Sequence, residues 1–435
     1  MIAPTRLRPA ALATLAVFGL SCATTQVPPI SAVPQFEPAK DEARLWEEAR
    51  AEEETLLDEV PLYDDPLLVD YLDGVVGRLE PAAMRGQDDV RYRVRVVEDP
   101  ALNAFAYPHG SLYVHTGLLA RMENEHQLAT VLAHEMTHVE NRHALRYRRS
   151  ARNKQIGFSI AALAAAILVA EEQGDALGDH DWGKAARIGI FADILVGFGL
   201  QLAFLASVNG YGRRLEAEAD QGGFDKMEGA GYDLREAPKV YRTLLADKGS
   251  EPGGAAVFFF GSHPKLAARI ESAEARLAAE SGAEPGPAEP VPAGDEFHRR
   301  MRPVVRDDAR LNIERDRLDI AEEEIRTALA ALPEDPEAHL VLAELRLAQA
   351  EAASEEAEAE RLRAEARAAL EESLRLDPDR PAAHRQLGLM AYRAGDFALA
   401  CAELQRFLDT APAGTEVQVE RDYVLELRAG GHCAD

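Results

Sequence analysis

The sequence predicts an α+β fold, with a mainly helical domain that holds a small β-sheet and a following all-α domain of helical repeats. Three observations support this prediction. An apolar stripe at helical spacing runs from Leu128 to Val139, alternating residues over 90–96 indicate a strand, and prolines near the C-terminus recur 34 residues apart. The 435 residues suffice for two or three domains.

Composition narrows the functional classes. The formal net charge is -27, from 48 basic and 75 acidic residues. A nucleic-acid partner is not expected, because phosphate binding requires a basic surface. Three cysteines are too few for a disulfide scaffold.

Residues 1–21 predict an export signal, because two arginines precede an apolar run that is too short to span a bilayer. Cys22 follows, and the segment resembles a bacterial lipoprotein signal with cleavage before Cys22 and a lipid on its sulfur. The alternative is ordinary cleavage after Ala23, which would give a soluble secreted protein. We favour the lipid anchor and expect a periplasmic protein held at the outer membrane.

The next elements alternate between helix and strand. Residues 22–40 are Pro-rich and predict a tether, after which helices are expected over 41–58 and 66–79. Strands are expected over 90–96, over Asn103–Tyr107 and over Leu112–Thr116, with a turn at Pro108–Gly110. His109 in that turn is expected to be exposed, with contact to a substrate groove as the alternative.

The helix that follows carries His134-Glu135-Met136-Thr137-His138. Four-residue spacing places both imidazoles on one face of a helix, where they suit Zn²⁺. A third protein ligand would leave the fourth position for water, and Glu135 is placed to take a proton from it. A chance pattern on a polar helix is the alternative. A buried helix with this polarity requires a reason, and a metal supplies one.

Several motifs together resemble the M48 family of zinc peptidases. They are Asn103-Ala104-Phe105-Ala106, Gly110, Thr116–Leu119, His134–His143, Arg213-x-x-Glu216-x-x-Ala219-Asp220 and Ser262-His263-Pro264. The resemblance implies a zincin-type metallopeptidase domain over residues 41–280 with one Zn²⁺ per chain.

The same resemblance assigns roles to individual residues. Glu216, rather than the nearby Glu218, becomes the third zinc ligand, and Asp220 becomes the outer hydrogen-bond partner of a ligating histidine. Asn103, Ala104 and Phe105 are expected to bind an extended substrate as an added strand. Three roles are open for His263: it could stabilise the oxyanion, occupy the open zinc position as a gate, or cap the helix that follows.

Two charge-free stretches, 157–170 and 194–212, lie between these motifs. Neither reaches the ~20 apolar residues of a membrane span, so we expect a helical hairpin packed on the domain or resting on a membrane surface. Insertion into the membrane is the alternative.

The C-terminal third predicts a separate domain. Residues 281–299 are rich in Pro, Ala and Gly and indicate a linker, and residues 300–435 are expected to form tetratricopeptide-like helical hairpins. A plain helical bundle is the alternative. Cys401 and Cys433 both lie here and are expected to pair in an oxidising compartment.

Two functions compete. The first is a zinc-dependent endopeptidase that hydrolyses unfolded or misassembled envelope proteins, as the resemblance to family members of the envelope quality-control type implies. The second is a non-catalytic periplasmic chaperone or assembly factor, which would bind outer-membrane proteins and their assembly machinery through its helical repeats. The base Glu135 favours the first, because a structural metal site has no use for it.

Overall fold

The computed structural model describes residues 24–87, 89–153, 213–247, 266–280 and 294–433. The chain divides into two compact units. Unit 1 comprises Met1–Val96, Leu102–Val114 and His126–Val291, and unit 2 comprises Val97–Ala101, His115–Glu125 and Pro292–Asp435.

The described helices and strands are named here in chain order. They are α1 (Lys40–Glu59), α2 (Pro66–Leu79), β1 (Arg93–Val97), β2 (Ala104–Ala106), β3 (Ser111–His115), α3 (Thr116–Ala120), α4 (Glu125–Glu140), α5 (Arg213–Gly229), α6 (Ala237–Asp247), α7 (Leu266–Glu280), α8 (Gly294–Glu314), α9 (Leu318–Ala331), α10 (Pro336–Ala352), α11 (Glu356–Leu376), α12 (Pro381–Arg393), α13 (Phe397–Thr410) and α14 (Gln418–Ala429). The predicted fold class, helices with a small sheet followed by helices alone, is confirmed.

The small sheet of unit 1 has the strand order β1-β3-β2, so β2 is an edge strand. β2 and β3 are antiparallel, with Phe105 opposite Tyr113. At the turn between them, Gly110 has a φ of 106° and a Cβ there would lie 2.6 Å from the carbonyl oxygen of Arg91, so only glycine fits. The hairpin predicted from the sequence is therefore held by a tight turn beneath β1.

His109 is not the exposed turn residue that the sequence predicts. Its side chain is 10% exposed, and Nε2 lies 2.8 Å from Glu53 Oε2 of α1. Tyr113 donates a hydrogen bond to the same carboxylate at 2.7 Å, and Arg95 pairs with it at 2.7 Å. Glu53 thus ties α1 to the sheet through three partners, which draws the imidazole inward.

Residues 24–39 also differ from the predicted tether, because they pack against the rest of unit 1. Ile30 and Phe36 are buried. The backbone carbonyls of Pro28 and Thr24 accept hydrogen bonds from Arg142 and Arg149. Two apolar anchors and these carbonyl contacts hold the segment against the domain, which a Pro-rich composition alone does not reveal.

Unit 2 consists mainly of helical hairpins. α8 packs on α9, α10 on α11 and α12 on α13, and α14 packs on α13. Gly388 of α12 permits close approach, because a Cβ at this position would lie 2.8 Å from Leu404 Cγ on α13. α8 begins at Gly294, so the last six residues of the predicted linker are helical. Phe297 and Met301 explain this difference, since both are buried one turn apart along α8.

Unit 2 also contains two short segments from earlier in the chain, Val97–Ala101 and His115–Glu125. Gly117 donates its backbone N–H to Asp99 O at 3.1 Å. A Cβ at Gly117 would lie 2.2 Å from Pro100 O, so the two segments approach each other as closely as glycine allows.

Among the described residues, no helix has the length and apolar character needed to cross a membrane. The stretches 157–170 and 194–212 and the signal segment 1–21 lie outside the described residues.

Candidate metal centre

The metal-binding pattern lies on α4, which is buried on every side. Leu128, Leu132 and Met136 are fully buried, as expected for the apolar stripe. His134, Glu135 and His138 are also buried, with 2%, 4% and 3% of their surface exposed. Three polar side chains inside a core require partners, because an unpaired buried polar group is costly.

Glu216 of α5 completes the cluster. His134 Nε2 and His138 Nε2 lie 3.0 Å apart, and Glu216 oxygens lie 3.5 Å from the first and 3.7 Å from the second. In a tetrahedral zinc site with bonds of 2.0–2.2 Å, ligand atoms are roughly 3.3 Å apart. The three donor atoms therefore fit a divalent metal such as Zn²⁺, and no other cluster of this kind occurs in the part of the chain that the structure describes.

Two adjacent glycines bring α5 close to α4. A Cβ at Gly222 would lie 2.5 Å from Thr137 Cγ2, and one at Gly223 would lie 3.3 Å from the backbone nitrogen of His134. Larger residues at these positions would push the helices apart. The glycine pair therefore sets the distance over which Glu216 reaches the two histidines.

Asp220, one turn after Glu216, contacts the outer nitrogen of His134 at 2.9 Å. Arg269 of α7 binds the same carboxylate through Nε and Nη2, and Tyr241 of α6 donates to it at 3.0 Å. Burial favours a raised pKa for Asp220, but the Arg269 charge and His134 outweigh it and lower the pKa to about 2. Asp220 is thus a carboxylate at every physiological pH.

The pKa of His134 reflects the same surroundings. Burial and the Arg269 charge lower it, whereas hydrogen bonds to Asp220 and Glu216 outweigh both and raise it to about 9. A cation that binds Nε2 must displace this proton, so metal affinity should increase with pH.

His138 has a different outer partner. Its Nδ1 lies 2.9 Å from Nδ1 of His143. His143 comes shortly after the end of α4 at Glu140 and has no exposed surface. Burial, assisted by the Arg146 charge, lowers the pKa of His143 to about 3, so this imidazole is neutral.

Glu218, the alternative to Glu216 as third ligand, points away from the metal ligands. It forms a bidentate ion pair with Arg146, and its side chain is about one-third exposed. Glu135 occupies the buried position beside His134 that the motif requires.

The predicted substrate strand lies beside the centre. A small cavity of about 10 Å³, the space of roughly one water molecule, is lined by Ala106 at the end of β2, by Pro108 and by His138. Asn103, Ala104 and Phe105 are all buried at this edge.

The sequence also predicts roles for Cys22, His263, Cys401 and Cys433. Cys22 and His263 are outside the described residues. Cys401 and Cys433 lie in unit 2, far along the chain from the metal ligands. The structure places them as a disulfide, with Cα atoms 5.5 Å apart.

No role is assigned to Arg269, Tyr241, Gly222 or Gly223 from the sequence alone. Arg269 and Tyr241 carry no local signal, because their importance depends on the approach of α6 and α7 to Asp220. The glycine pair is a signal that could have been used, since adjacent glycines inside a predicted helix are costly and indicate close packing.

Comparisons with known proteins agree with this geometry. Residues 67–277 match the family model of peptidase family M48. The chain is 32% identical over 190 residues to the putative beta-barrel assembly-enhancing protease of Vibrio cholerae. This aligned region covers 43% of this chain and 35% of the relative. The chain is 29% identical over 204 residues to the mitochondrial metalloendopeptidase OMA1 of Schizosaccharomyces pombe, covering 47% and 51%.

The chain is also 28% identical over 185 residues to the beta-barrel assembly-enhancing protease of Escherichia coli, covering 42% and 34%. It thus spans between a third and a half of these relatives' lengths. A solved tetratricopeptide protein of Thermus thermophilus matches 46% of this chain and 83% of its own, at 16% identity and a TM-score of 0.27, which is too low to carry an argument. From the motif, the buried ligand set and the matched range together, residues 67–277 are a domain of peptidase family M48.

Proposed function

We propose that this protein is a zinc-dependent endopeptidase. The observation that carries the proposal is the buried cluster of His134, His138 and Glu216 with Glu135 beside the first ligand. When bound there, Zn²⁺ would supply a Lewis acid that polarises the scissile carbonyl and acidifies the attacking water.

The side chains of the domain perform the remaining chemistry. Glu135 takes the proton of the attacking water and passes it to the leaving amine. Asp220 holds His134 in the orientation that presents Nε2, and Arg269 and Tyr241 hold Asp220. Burial of all these groups keeps their hydrogen bonds strong, because the surrounding dielectric is low.

The edge strand β2 is the proposed binding place for substrate. Tyr107 N–H donates to Ser111 O at 2.8 Å, so alternate residues Phe105 and Tyr107 bond to β3. The backbone N–H and C=O of Ala104 and Ala106 therefore point away from β3, toward an added strand. Only an extended chain can pair in this way, which favours unfolded protein as the substrate.

The setting that we propose is the bacterial envelope. The relatives from Vibrio cholerae and Escherichia coli are named for beta-barrel assembly, and the N-terminal sequence resembles a lipoprotein signal. We propose that Cys22 anchors the protein at the outer membrane from the periplasmic side. The helical hairpins of unit 2 would bind misassembled outer-membrane proteins or their assembly machinery.

Cleavage of casein by the full-length chain tests the proposal. We expect Glu135→Gln to retain one zinc per chain while cleavage falls by about 10²- to 10⁴-fold, because the general base is lost. Glu47→Gln is the matched control, since Glu47 is exposed on α1 and the same charge is removed.

Zinc content and cleavage are measured on the same samples. Full activity in zinc-loaded Glu135→Gln would contradict the assignment of the base. Absence of cleavage by zinc-loaded wild type would instead favour the chaperone function.

A further inference from the structure

The two proposed histidine ligands differ in what holds their outer nitrogens. Nδ1 of His134 faces a carboxylate, Asp220, at 2.9 Å. Nδ1 of His138 faces another imidazole nitrogen, Nδ1 of His143, at 2.9 Å. We infer that His143 is a positioning residue, which accepts the Nδ1–H of His138 and fixes the ring so that Nε2 points at the metal position. This inference rests on the proposed zinc site.

The direction of this hydrogen bond follows from the ligand side of His138. Its Nε2 lies 3.0 Å from His134 Nε2 and 3.7 Å from Glu216 Oε1, so Nε2 is the metal-facing atom. A ligating imidazole nitrogen carries no proton, and the proton of neutral His138 is therefore on Nδ1. Only one hydrogen fits between two Nδ1 atoms 2.9 Å apart, so His143 must be the acceptor.

His143 then carries its own proton on Nε2. This atom lies 3.5 Å from Glu218 Oε2, and Glu218 is paired with Arg146. A carboxylate on that side favours the Nε2–H tautomer of His143 and leaves its Nδ1 free to accept. His143 thus has the place behind the second histidine that Asp220 has behind the first, and Glu218, which is not a ligand, lies behind His143.

An unusual backbone turn places His143 over His138. Arg142 has a φ of 56°, a left-handed conformation that a side chain with a Cβ disfavours. Three contacts hold its side chain: the guanidinium pairs with buried Glu42, donates to the carbonyl of Pro28 and lies 5.1 Å from the Phe36 ring centroid. This turn ends α4 and returns the chain, so that the next residue contacts a residue five positions earlier. Strain of this kind commonly occurs at functional sites.

His143 acts through His138, since its imidazole has no exposed surface and cannot meet a substrate. A positioning role predicts an effect on metal affinity, which can be measured without cleavage. His143→Leu removes the acceptor and keeps an apolar side chain in the core. His143→Asn keeps an acceptor, because the Oδ1 of asparagine lies where Nδ1 of histidine lies.

The test measures the Zn²⁺ dissociation constant of the full-length protein by competition with a chromophoric chelator. We expect about 10- to 100-fold weaker binding in His143→Leu, the usual cost of removing an outer partner of a ligand. His143→Asn should bind within about threefold of wild type. His126→Asn is the control and should leave affinity unchanged, because His126 accepts a backbone hydrogen bond from Asp233 away from the ligands.

Two results would overturn the inference. One is wild-type affinity in His143→Leu, and the other is equal loss in His143→Asn and His143→Leu, which would make ring volume the cause. Failure of wild type to bind zinc would contradict the proposed metal site as well. If wild type binds zinc and Glu216→Gln abolishes that binding, a contrary result in the His143 variants contradicts the role of His143 alone.

Wild-type protein provides a second measurement if a variant does not fold. Long-range ¹H–¹⁵N spectra of zinc-loaded, ¹⁵N-histidine-labelled protein report which ring nitrogen carries the proton. We expect the Nε2–H tautomer for His143, and a proton on Nδ1 of His143 would overturn the inference.

Discussion

At the scale of single residues, Glu216 and Glu218 show why spacing on a helix matters. Two positions on an α-helix differ by about 200° in direction, so the two carboxylates cannot face the same metal. Glu216 is buried against both histidines, whereas Glu218 pairs with Arg146. Sequence spacing offers both residues as ligands, and the direction in which α5 presents its buried face decides between them.

The matched pair Glu216→Gln and Glu218→Gln tests this assignment. We expect Glu216→Gln to weaken Zn²⁺ binding by more than about 100-fold, because a ligand is lost rather than an outer partner. Glu218→Gln should stay near wild type, since an amide oxygen still accepts from His143. Chelator competition measures both constants, and comparable losses in the two variants would argue against Glu216 as the ligand.

At the scale of elements, close helix approach decides the packing of both units. Gly222 and Gly223 let α5 approach α4, and Gly388 does the same for α12 and α13. The 34-residue spacing predicts the α12–α13 hairpin, but the contact that makes glycine necessary at position 388 is visible only once Leu404 is placed. Gly395, at a φ of 77°, permits the turn between these helices.

Gly388→Ala should destabilise unit 2 by about 1–3 kcal/mol, because the added methyl group meets Leu404 and its backbone. Gly77→Ala is the matched control on α2, where no atom lies within 4 Å of the new Cβ. That substitution should stabilise α2 by up to about 1 kcal/mol through helix propensity. Calorimetric unfolding measures both changes, and a neutral Gly388→Ala would show that α12 and α13 can separate without cost.

At the scale of the whole molecule, the compact units are not continuous segments of chain. Unit 2 combines residues 294–433 with Val97–Ala101 and His115–Glu125. Its interior includes the buried carboxyls of Asp308 and Glu324, hydrogen-bonded to each other. Arg121 pairs with Glu324 at 2.7 Å, and Asn312 donates to both carboxyls. A segment distant in sequence thus supplies the arginine that pairs with Glu324.

This cluster predicts a pH dependence. Burial raises the pKa of both carboxyls, and repulsion by Asp308 raises the pKa of Glu324 further. The Thr116 hydroxyl and the charges of Arg121 and Arg317 lower the pKa of Asp308, and Arg121 also lowers that of Glu324, but burial outweighs them. The folded state therefore holds a proton more tightly than the unfolded state. The stabilisation that this proton gives the folded state is fully present below the pKa values of the unfolded state. It is lost as pH rises through the pKa values of the folded state.

Asp308→Asn should reduce that loss, because a single carboxyl no longer repels a second. Between pH 5 and 8 we expect wild-type unit 2 to lose on the order of 1–3 kcal/mol more than the variant. Hydrogen exchange of α8 and α9, corrected for intrinsic rates, measures the difference. Parallel pH profiles for the two proteins would contradict the prediction.

The local features of this protein follow from patterns in its sequence. Helical spacing placed His134 and His138 on one face with Glu135 beside the first, the helix predicted over 66–79 is α2, and alternation predicted the hairpin. These depend on contacts between near neighbours in the chain, which a pattern records. Only the tertiary structure determined what depends on distant segments: the choice of Glu216, the partners Arg269 and Tyr241, the packed N-terminal residues, the buried His109 and the union of α3 with the helical hairpins. Side chains that meet across 21 to 203 residues leave no periodic signal, because their contact arises from the packing of whole elements.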